Sequence, residues 1–456
     1  MQKIFLLFCA IICISTNCFG QFIEGQFSGM KNMEIKLEGF NGTDTYLIAK
    51  TNTNEMGVFK FSYTSNDIGM AYLSSQGSQS YIILLGGENI AITGESFSSS
   101  ATIKVIKGSQ SIAFVKYNQE QIKKEQLLSA WKFLKKNYTA NLELKKNIQI
   151  NKTISDEIIR LNKSEQDFFN TLPDNSYVKW LLPIRKLISS LPVAMKYYPE
   201  EVKPIFEQIK KLDYSDSRLF KSGLIEDALD APLEIMDVTI SNSERATKEV
   251  NSFIDIILLQ VTNDEKKYNQ VVELLFKILD KHSFFDSTEY LTNKVENNSS
   301  CSRSDGVTAQ LQKYKKLAVG SKLPDIEFGP NTVFPNGVSV NKLSEIKKPY
   351  ILVVFAAGWC PHCTESIPKI AQLYPNLKAK GIEVVLVSLD ENVEKFRQFT
   401  GSLPFVSTSD YKKWSGEDVK NFNVHATPSY FILDQNLSLV LRPRDIQQIK
   451  TWAKEK

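Results

Sequence analysis

Tyr350-Ile351-Leu352-Val353-Val354-Phe355-Ala356-Ala357-Gly358-Trp359-Cys360-Pro361-His362-Cys363-Thr364-Glu365-Ser366-Ile367-Pro368-Lys369-Ile370-Ala371 decides the reading of the C-terminal part of the chain. The opening apolar run has no polar alternation, the pattern of a strand buried on both faces. Behind the two cysteines the apolar residues recur at helical spacing. A second continuous run, Glu383-Val384-Val385-Leu386-Val387-Ser388-Leu389, follows that helix, so the segment predicts a βαβ unit with Cys360 and Cys363 at the first strand-to-helix junction.

That junction suits thiol chemistry. Unpaired backbone N–H groups and the positive end of the helix dipole favour a thiolate at Cys360. Cys363, three residues on and on the same helical face, can attack a mixed disulfide formed at Cys360. Pro361 suits the first helical position, where its missing N–H is not needed. His362 can add positive charge or a hydrogen bond beside the thiolate, and Trp359 offers an apolar wall. A zinc site would need about four ligands, and Cys301, His282 and His425 form no second pair at suitable spacing. A purely structural disulfide would close too small a loop to gain much chain entropy. We therefore expect no metal and no cofactor, only the two thiols.

Upstream, the texture changes twice. From 21 to 109, short alternating runs (Ile35 and Leu37; Phe59, Phe61 and Tyr63; Ile90 and Ile92; Ile103 and Val105) predict an all-β, sandwich-like module, with Gly25, Gly57, Gly87 and Gly108 at the breaks. From 110 to 316 the pattern is helical. Ile112, Val115, Ile122, Leu127, Trp131 and Leu134 would form the buried face of a first helix near 110–136. Further helices are expected near 155–171, 200–212, 245–261 and 268–282, the last closing on His282, a residue suited to a helix C-terminus. Residues 317–456 carry the α/β part. The fold class is thus multidomain: a β-sandwich-like module, an α-helical region and a C-terminal α/β fold.

With 456 residues, 42% hydrophobic and 23% charged, the chain has the composition of folded domains. Its 55 basic and 51 acidic residues leave a net charge of +4, without the excess expected of a nucleic-acid binder. Lys3, the apolar run from Ile4 to Ile14 and the polar Ser15-Thr16-Asn17 predict a signal peptide over 1–20, too short to span a bilayer. Cys18 is the alternative, a lipid anchor, but Ser15-Thr16-Asn17 departs from the usual lipobox. Cleavage would remove three of the six cysteines, leaving Cys301 in a polar loop and the pair Cys360–Cys363. The expected location is the periplasm, with no membrane span after cleavage.

The stretch from Val319-Gly320-Ser321-Lys322-Leu323-Pro324-Asp325 through Trp359-Cys360-Pro361-His362-Cys363 to Ala426-Thr427-Pro428-Ser429-Tyr430-Phe431-Ile432-Leu433-Asp434 resembles the TlpA/ResA group of exported thiol–disulfide oxidoreductases. The resemblance implies a C-terminal α/β thioredoxin-like fold, that Pro428 is a cis-proline facing the dithiol and that Thr427 presents backbone to a bound substrate strand. It implies disulfide-containing envelope proteins as clients and a membrane thiol donor. The β region, with Gly25, Gly57-Val58-Phe59-Lys60-Phe61, Gly87-Glu88-Asn89-Ile90-Ala91-Ile92 and Gly108-Ser109, resembles the DUF4369 module that precedes such domains in Bacteroidota proteins. Two positions depart from the pattern. Val354 stands where thioredoxin keeps a buried aspartate, and Ser366 where the TlpA/ResA group has glutamate; Glu365, one residue earlier, is the remaining candidate proton relay. Pro361-His362 resembles the dipeptide of the oxidant DsbA, so a disulfide oxidant or isomerase is the alternative to a reductase. A non-enzymatic, client-binding envelope protein is the alternative of another class.

Overall fold

Alternation along the N-terminal strands builds a two-layer sandwich. In the computed structural model, which describes residues 20–76, 80–240, 242–298, 302–335 and 339–456, the chain forms two compact units. The expected leader, apart from Gly20, and Cys301 lie outside the described residues. The first unit comprises residues up to 193 with 216–226; the second comprises 194–215 with 227–456. The helical stretch expected at 110–316 is thus shared between two units.

Eight strands open the first unit: β1 (Gln21–Phe27), β2 (Glu34–Asn41), β3 (Asp44–Asn52), β4 (Val58–Tyr63), β5 (Gly69–Ser75), β6 (Tyr81–Leu85), β7 (Ile90–Gly94) and β8 (Lys104–Lys107). They form sheets of order β4-β1-β7-β8 and β3-β2-β5-β6, antiparallel except for β1 beside β7. Ile23, Phe27, Phe59 and Phe61 of one sheet share a buried cluster with Leu37, Leu73, Ile83 and Leu85 of the other. This is the sandwich the alternating pattern predicts. Gly57 turns the chain at φ +73°, and a Cβ there would lie 1.9 Å from the Phe27 carbonyl oxygen. Gly25, expected at a break, instead lies within β1, where the Phe59 ring covers it and leaves no room for a Cβ.

Helices α1 (Ser109–Ala140), α2 (Leu142–Lys145), α3 (Ile148–Asn170) and α4 (Tyr177–Tyr197) follow. Glu88 caps α1 from the preceding turn, accepting from Ser109 N–H at 2.8 Å and Gln110 N–H at 2.7 Å, a carboxylate at the positive helix end. Phe114 and Tyr117 of α1 pack with Tyr177, Val178 and Leu181 of α4 against Met70 and Leu84 of the second sheet. The apolar face predicted for the first helix is therefore not the buried one: Ile122 and Leu127 are 64% and 52% exposed, and Ile112 and Leu134 are exposed too. The buried contacts, Phe114 and Tyr117, lie in the first turns of the helix, where it meets the sheet.

The second unit contains α5 (Pro199–Ile209), most of α7 (Ile225–Thr239), α8 (Ser243–Val261), α9 (Glu265–Lys281), α10 (Phe285–Asn297) and α11 (Asp305–Lys315), while the short α6 (Ser217–Phe220) belongs to the first. Its α/β part comprises β9 (Tyr350–Ala356), α12 (Pro361–Ala379), β10 (Ile382–Ser388), α13 (Val393–Thr400), β11 (Val406–Thr408), α14 (Glu417–Asn421), β12 (Ser429–Asp434), β13 (Leu439–Leu441) and α15 (Ile446–Lys454). The sheet order is β11-β10-β9-β12-β13, with β9, β10 and β11 parallel and β12 and β13 antiparallel. Central β9 is buried along almost its whole length, as its unbroken apolar run requires.

Helices α8–α11 and the sheet of this unit are tied by charge. Arg442, 8% exposed, lies 3.6 Å from the Phe285 ring centroid and 3.7 Å from an Asp280 oxygen. His282 caps the C-terminus of α9, and its Nε2 lies 2.8 Å from Asp230 and its Nδ1 3.4 Å from Asp237. Lys281 also pairs with Asp230, and Arg444 with Asp237. Burial lowers the His282 pKa, but the hydrogen bonds and charges of the two aspartates outweigh it and raise it to about 9. A folded value above the unfolded value of about 6.5 stabilises the unit fully below pH 6.5, and the contribution is lost as pH rises through about 9. We expect the unfolding midpoint of this unit to fall between about pH 6.5 and pH 9.5, by on the order of 3 kcal/mol in stability. His282→Asn should flatten that dependence in thermal scans; an unchanged slope would show that the imidazolium does not contribute.

Candidate active site

The end of β9 delivers Ala357-Gly358-Trp359 into a loop, and Cys360 is the N-cap of α12, with φ −91° and ψ 116°. Pro361 occupies the first turn. Cys360 Sγ accepts from the Cys363 N–H at 3.3 Å, so the sulfur takes the place of a capping oxygen. The same sulfur donates to the Thr427 carbonyl oxygen at 3.3 Å. The Thr427–Pro428 peptide bond is cis, and it sets the Thr427 carbonyl against the dithiol at the start of β12. Cys360, Cys363, Pro361, Thr427 and Pro428 thus come together. The two cysteines are unbridged, Cys360 6% exposed and Cys363 fully buried.

The environment separates the two thiols. Burial pushes Cys360 up, but hydrogen bonds from the Cys363 and Thr427 side chains and from the backbone of Cys363 and His362 outweigh it, and its pKa lies below the ordinary thiol value. Cys363 is pushed up to about 12 by burial, then by its hydrogen bond to Cys360 and the Cys360 charge. Cys360 is therefore the readier nucleophile of the two, and Cys363 is the one that keeps its proton. Alkylation by iodoacetamide should modify Cys360 first, with a rate–pH midpoint below about 8.5, and leave Cys363 protected in the folded protein. A midpoint at or above the ordinary value, or first modification at Cys363, would contradict this order.

Trp359 is 46% exposed, donates Nε1–H to the Leu389 carbonyl oxygen at 3.3 Å and meets Trp414 edge-on at 6.0 Å. The two rings form an exposed aromatic wall beside the dithiol. His362 is exposed on the first turn of α12. Glu365 does not join the pair: its side chain is 70% exposed and bonded to Lys369 at 2.7 Å, which holds its carboxyl below the usual range. Glu365 points about 100° away from Ser366 and about 200° away from Cys363 around the helix, so it is a solvated surface acid and not a relay. Val354 is fully buried, paired in register with Tyr430. The Tyr430 hydroxyl bonds to Ser366, so a neutral Tyr–Ser pair lies behind the dithiol.

The sequence reading misses Asp390. Its carboxylate is 1% exposed, accepts from the Gly358 N–H at 3.2 Å and from Ser388 Oγ–H at 2.7 Å, and so holds the loop two residues before Cys360. Its signal is positional: an acid directly after the buried run of β10, at the strand end beside β9. Among the described residues no group of three or more His, Cys, Asp or Glu is arranged to hold a metal.

Residues 348–439 match the thioredoxin-like family model. The chain is 30% identical to tryparedoxin of Trypanosoma brucei brucei over 93 residues, 20% of this chain and 65% of tryparedoxin. It is 30% identical to thiol-disulfide oxidoreductase ResA of Geobacillus kaustophilus over 124 residues, 26% of this chain and 66% of ResA. Both alignments span slightly less than two thirds of the relative. Among solved structures, a thioredoxin-like protein from Bacteroides caccae aligns with a TM-score of 0.37 and 17% identity, over 55% of this chain and 93% of that one. The C-terminal unit carries a thioredoxin-like domain of the kind found in thiol–disulfide oxidoreductases.

Proposed function

We propose that the chain is an exported thiol–disulfide oxidoreductase that reduces disulfides of envelope proteins in the periplasm. The observation that carries this reading is the asymmetric dithiol: Cys360 caps a helix N-terminus and accepts the Cys363 N–H at 3.3 Å, with its pKa lowered, while Cys363 is fully buried with its pKa pushed up. Cys360 thiolate attacks one sulfur of a client disulfide. The Cys360–client bond forms, the client S–S bond breaks, and the released client thiolate takes up a proton. Cys363 gives up its proton and attacks Cys360 sulfur, closing Cys360–Cys363 and releasing the second client thiol. Two electrons pass from the enzyme dithiol to the client, and a membrane thiol donor restores the dithiol.

The expected leader and the likeness to ResA support export, and the sandwich is read as the DUF4369-type module that precedes such domains. Among the described residues no helix is long and apolar enough to cross a membrane. Dithiothreitol-driven reduction of insulin disulfides by the intact chain tests the activity. Turnover without hydrogen peroxide consumption is the expected result. Insulin inertness combined with tight, non-covalent capture of clients would favour a binding protein instead.

A further inference from the structure

Helices α1 and α3 form an antiparallel hairpin, with Ile154 and Leu161 of α3 buried along its length. Tyr117 stacks on Phe168 and lies tilted against Phe169, each at 5.6 Å, and donates to Glu165 at 2.9 Å. From Tyr117 to Ala140 the helix runs on for about 35 Å. Every residue from 141 to 150 is exposed.

The far end is apolar where an ordinary solvated tip is polar. Leu142 is 78% exposed, Ile148 81% and Phe133 63%. Leu142 and Ile148 flank the turn between the two long helices, and Phe133 lies two turns back along α1. Lysines surround them: Lys132, Lys135, Lys136, Lys145, Lys146 and Lys152 stand against Glu143 alone between 132 and 152, six positive charges less one, or +5. The whole chain carries +4. The tip therefore carries more net positive charge than the whole chain, and the remaining residues sum to −1.

We infer that this tip is a docking surface for an anionic phospholipid bilayer. A bilayer accepts exposed apolar groups at the boundary between headgroups and acyl chains, while lysines on long stems reach the anionic headgroups around them. A folded protein partner would need a concave seat for the same groups, and an acidic partner would leave Leu142, Ile148 and Phe133 without cover. Docked in this way, the hairpin anchors the protein peripherally. The inference stands apart from the redox reading, because its residues belong to the first unit and the dithiol to the second.

Sedimentation of the intact protein with vesicles tests it. Binding to vesicles of phosphatidylcholine with phosphatidylglycerol should exceed binding to phosphatidylcholine alone by roughly tenfold or more, and should fall in high salt. Lys135→Glu with Lys145→Glu should reduce it to the phosphatidylcholine level, and Leu142→Ser with Ile148→Ser should weaken it in low salt as well. All four positions are exposed, so circular dichroism and the unfolding midpoint should not change. Absence of binding, or equal binding to both vesicle types, would overturn the inference. A concentration-dependent dimer that Leu142→Ser with Ile148→Ser dissociates, without vesicle binding, would also overturn it and make the tip an interface between copies.

Discussion

Cys360→Ser abolishes insulin-disulfide reduction, with a loss on the order of a thousandfold or more, to the uncatalysed background. The thiolate is the attacking species, and a hydroxyl neither ionises near neutral pH nor forms a bond to sulfur that Cys363 could resolve. The variant keeps its fold for a reason visible in the structure. Cys360 is the N-cap of α12 and accepts the Cys363 N–H, and serine is a favoured residue at that position. Loss of activity with an unchanged unfolding midpoint therefore isolates the sulfur. Residual turnover at wild-type rate would remove Cys360 from the mechanism.

Cys363→Ala separates attack from resolution. The first step needs only Cys360 and should survive, whereas multiple turnover should fall by on the order of a hundredfold or more as the mixed disulfide accumulates. Intact-mass measurement after incubation with a disulfide substrate should show one adduct per chain, and peptide mapping should place it on Cys360. Cys363 is fully buried, so removing its sulfur should also cost about 1 kcal/mol of stability. It also removes the hydrogen bond that helps hold the Cys360 pKa down, so alkylation of Cys360 in this variant should shift to higher pH. An adduct released as fast as in the wild type would mean that another thiol resolves it.

The parts of this site that the sequence makes legible are local in the chain. β9, the dithiol and α12 follow one another without interruption, and each has its own pattern: an unbroken apolar run, a helix N-terminus, an apolar helical face. The sandwich is legible for the same reason, since Phe59, Phe61 and Tyr63 alternate within six residues. Features that depend on distant contacts are not. Asp390 reaches Gly358 across 32 residues, and the Asp230 and Asp237 partners of His282 lie on another helix. Helices α4 and α7 carry internal prolines, Pro183 with Pro192 and Pro232, which argue locally against helix and are overridden by packing. The apolar residues of α1 mislead for the opposite reason. Helical spacing shows that Ile122 and Leu127 share a face, but only the tertiary structure shows that this face has no neighbour in the unit to bury it.

A reversible two-electron couple between Cys360 and Cys363 is the central claim, and equilibration of the intact protein with graded glutathione buffers measures it most directly. Stabilisation of the Cys360 thiolate favours the reduced form, so the pair should titrate as a single two-electron transition at a potential above thioredoxin's value of about −270 mV. A value at or below that of thioredoxin would contradict the thiolate-stabilised pair, and failure of the two sulfurs to form an intramolecular disulfide at any buffer ratio would contradict the account as a whole.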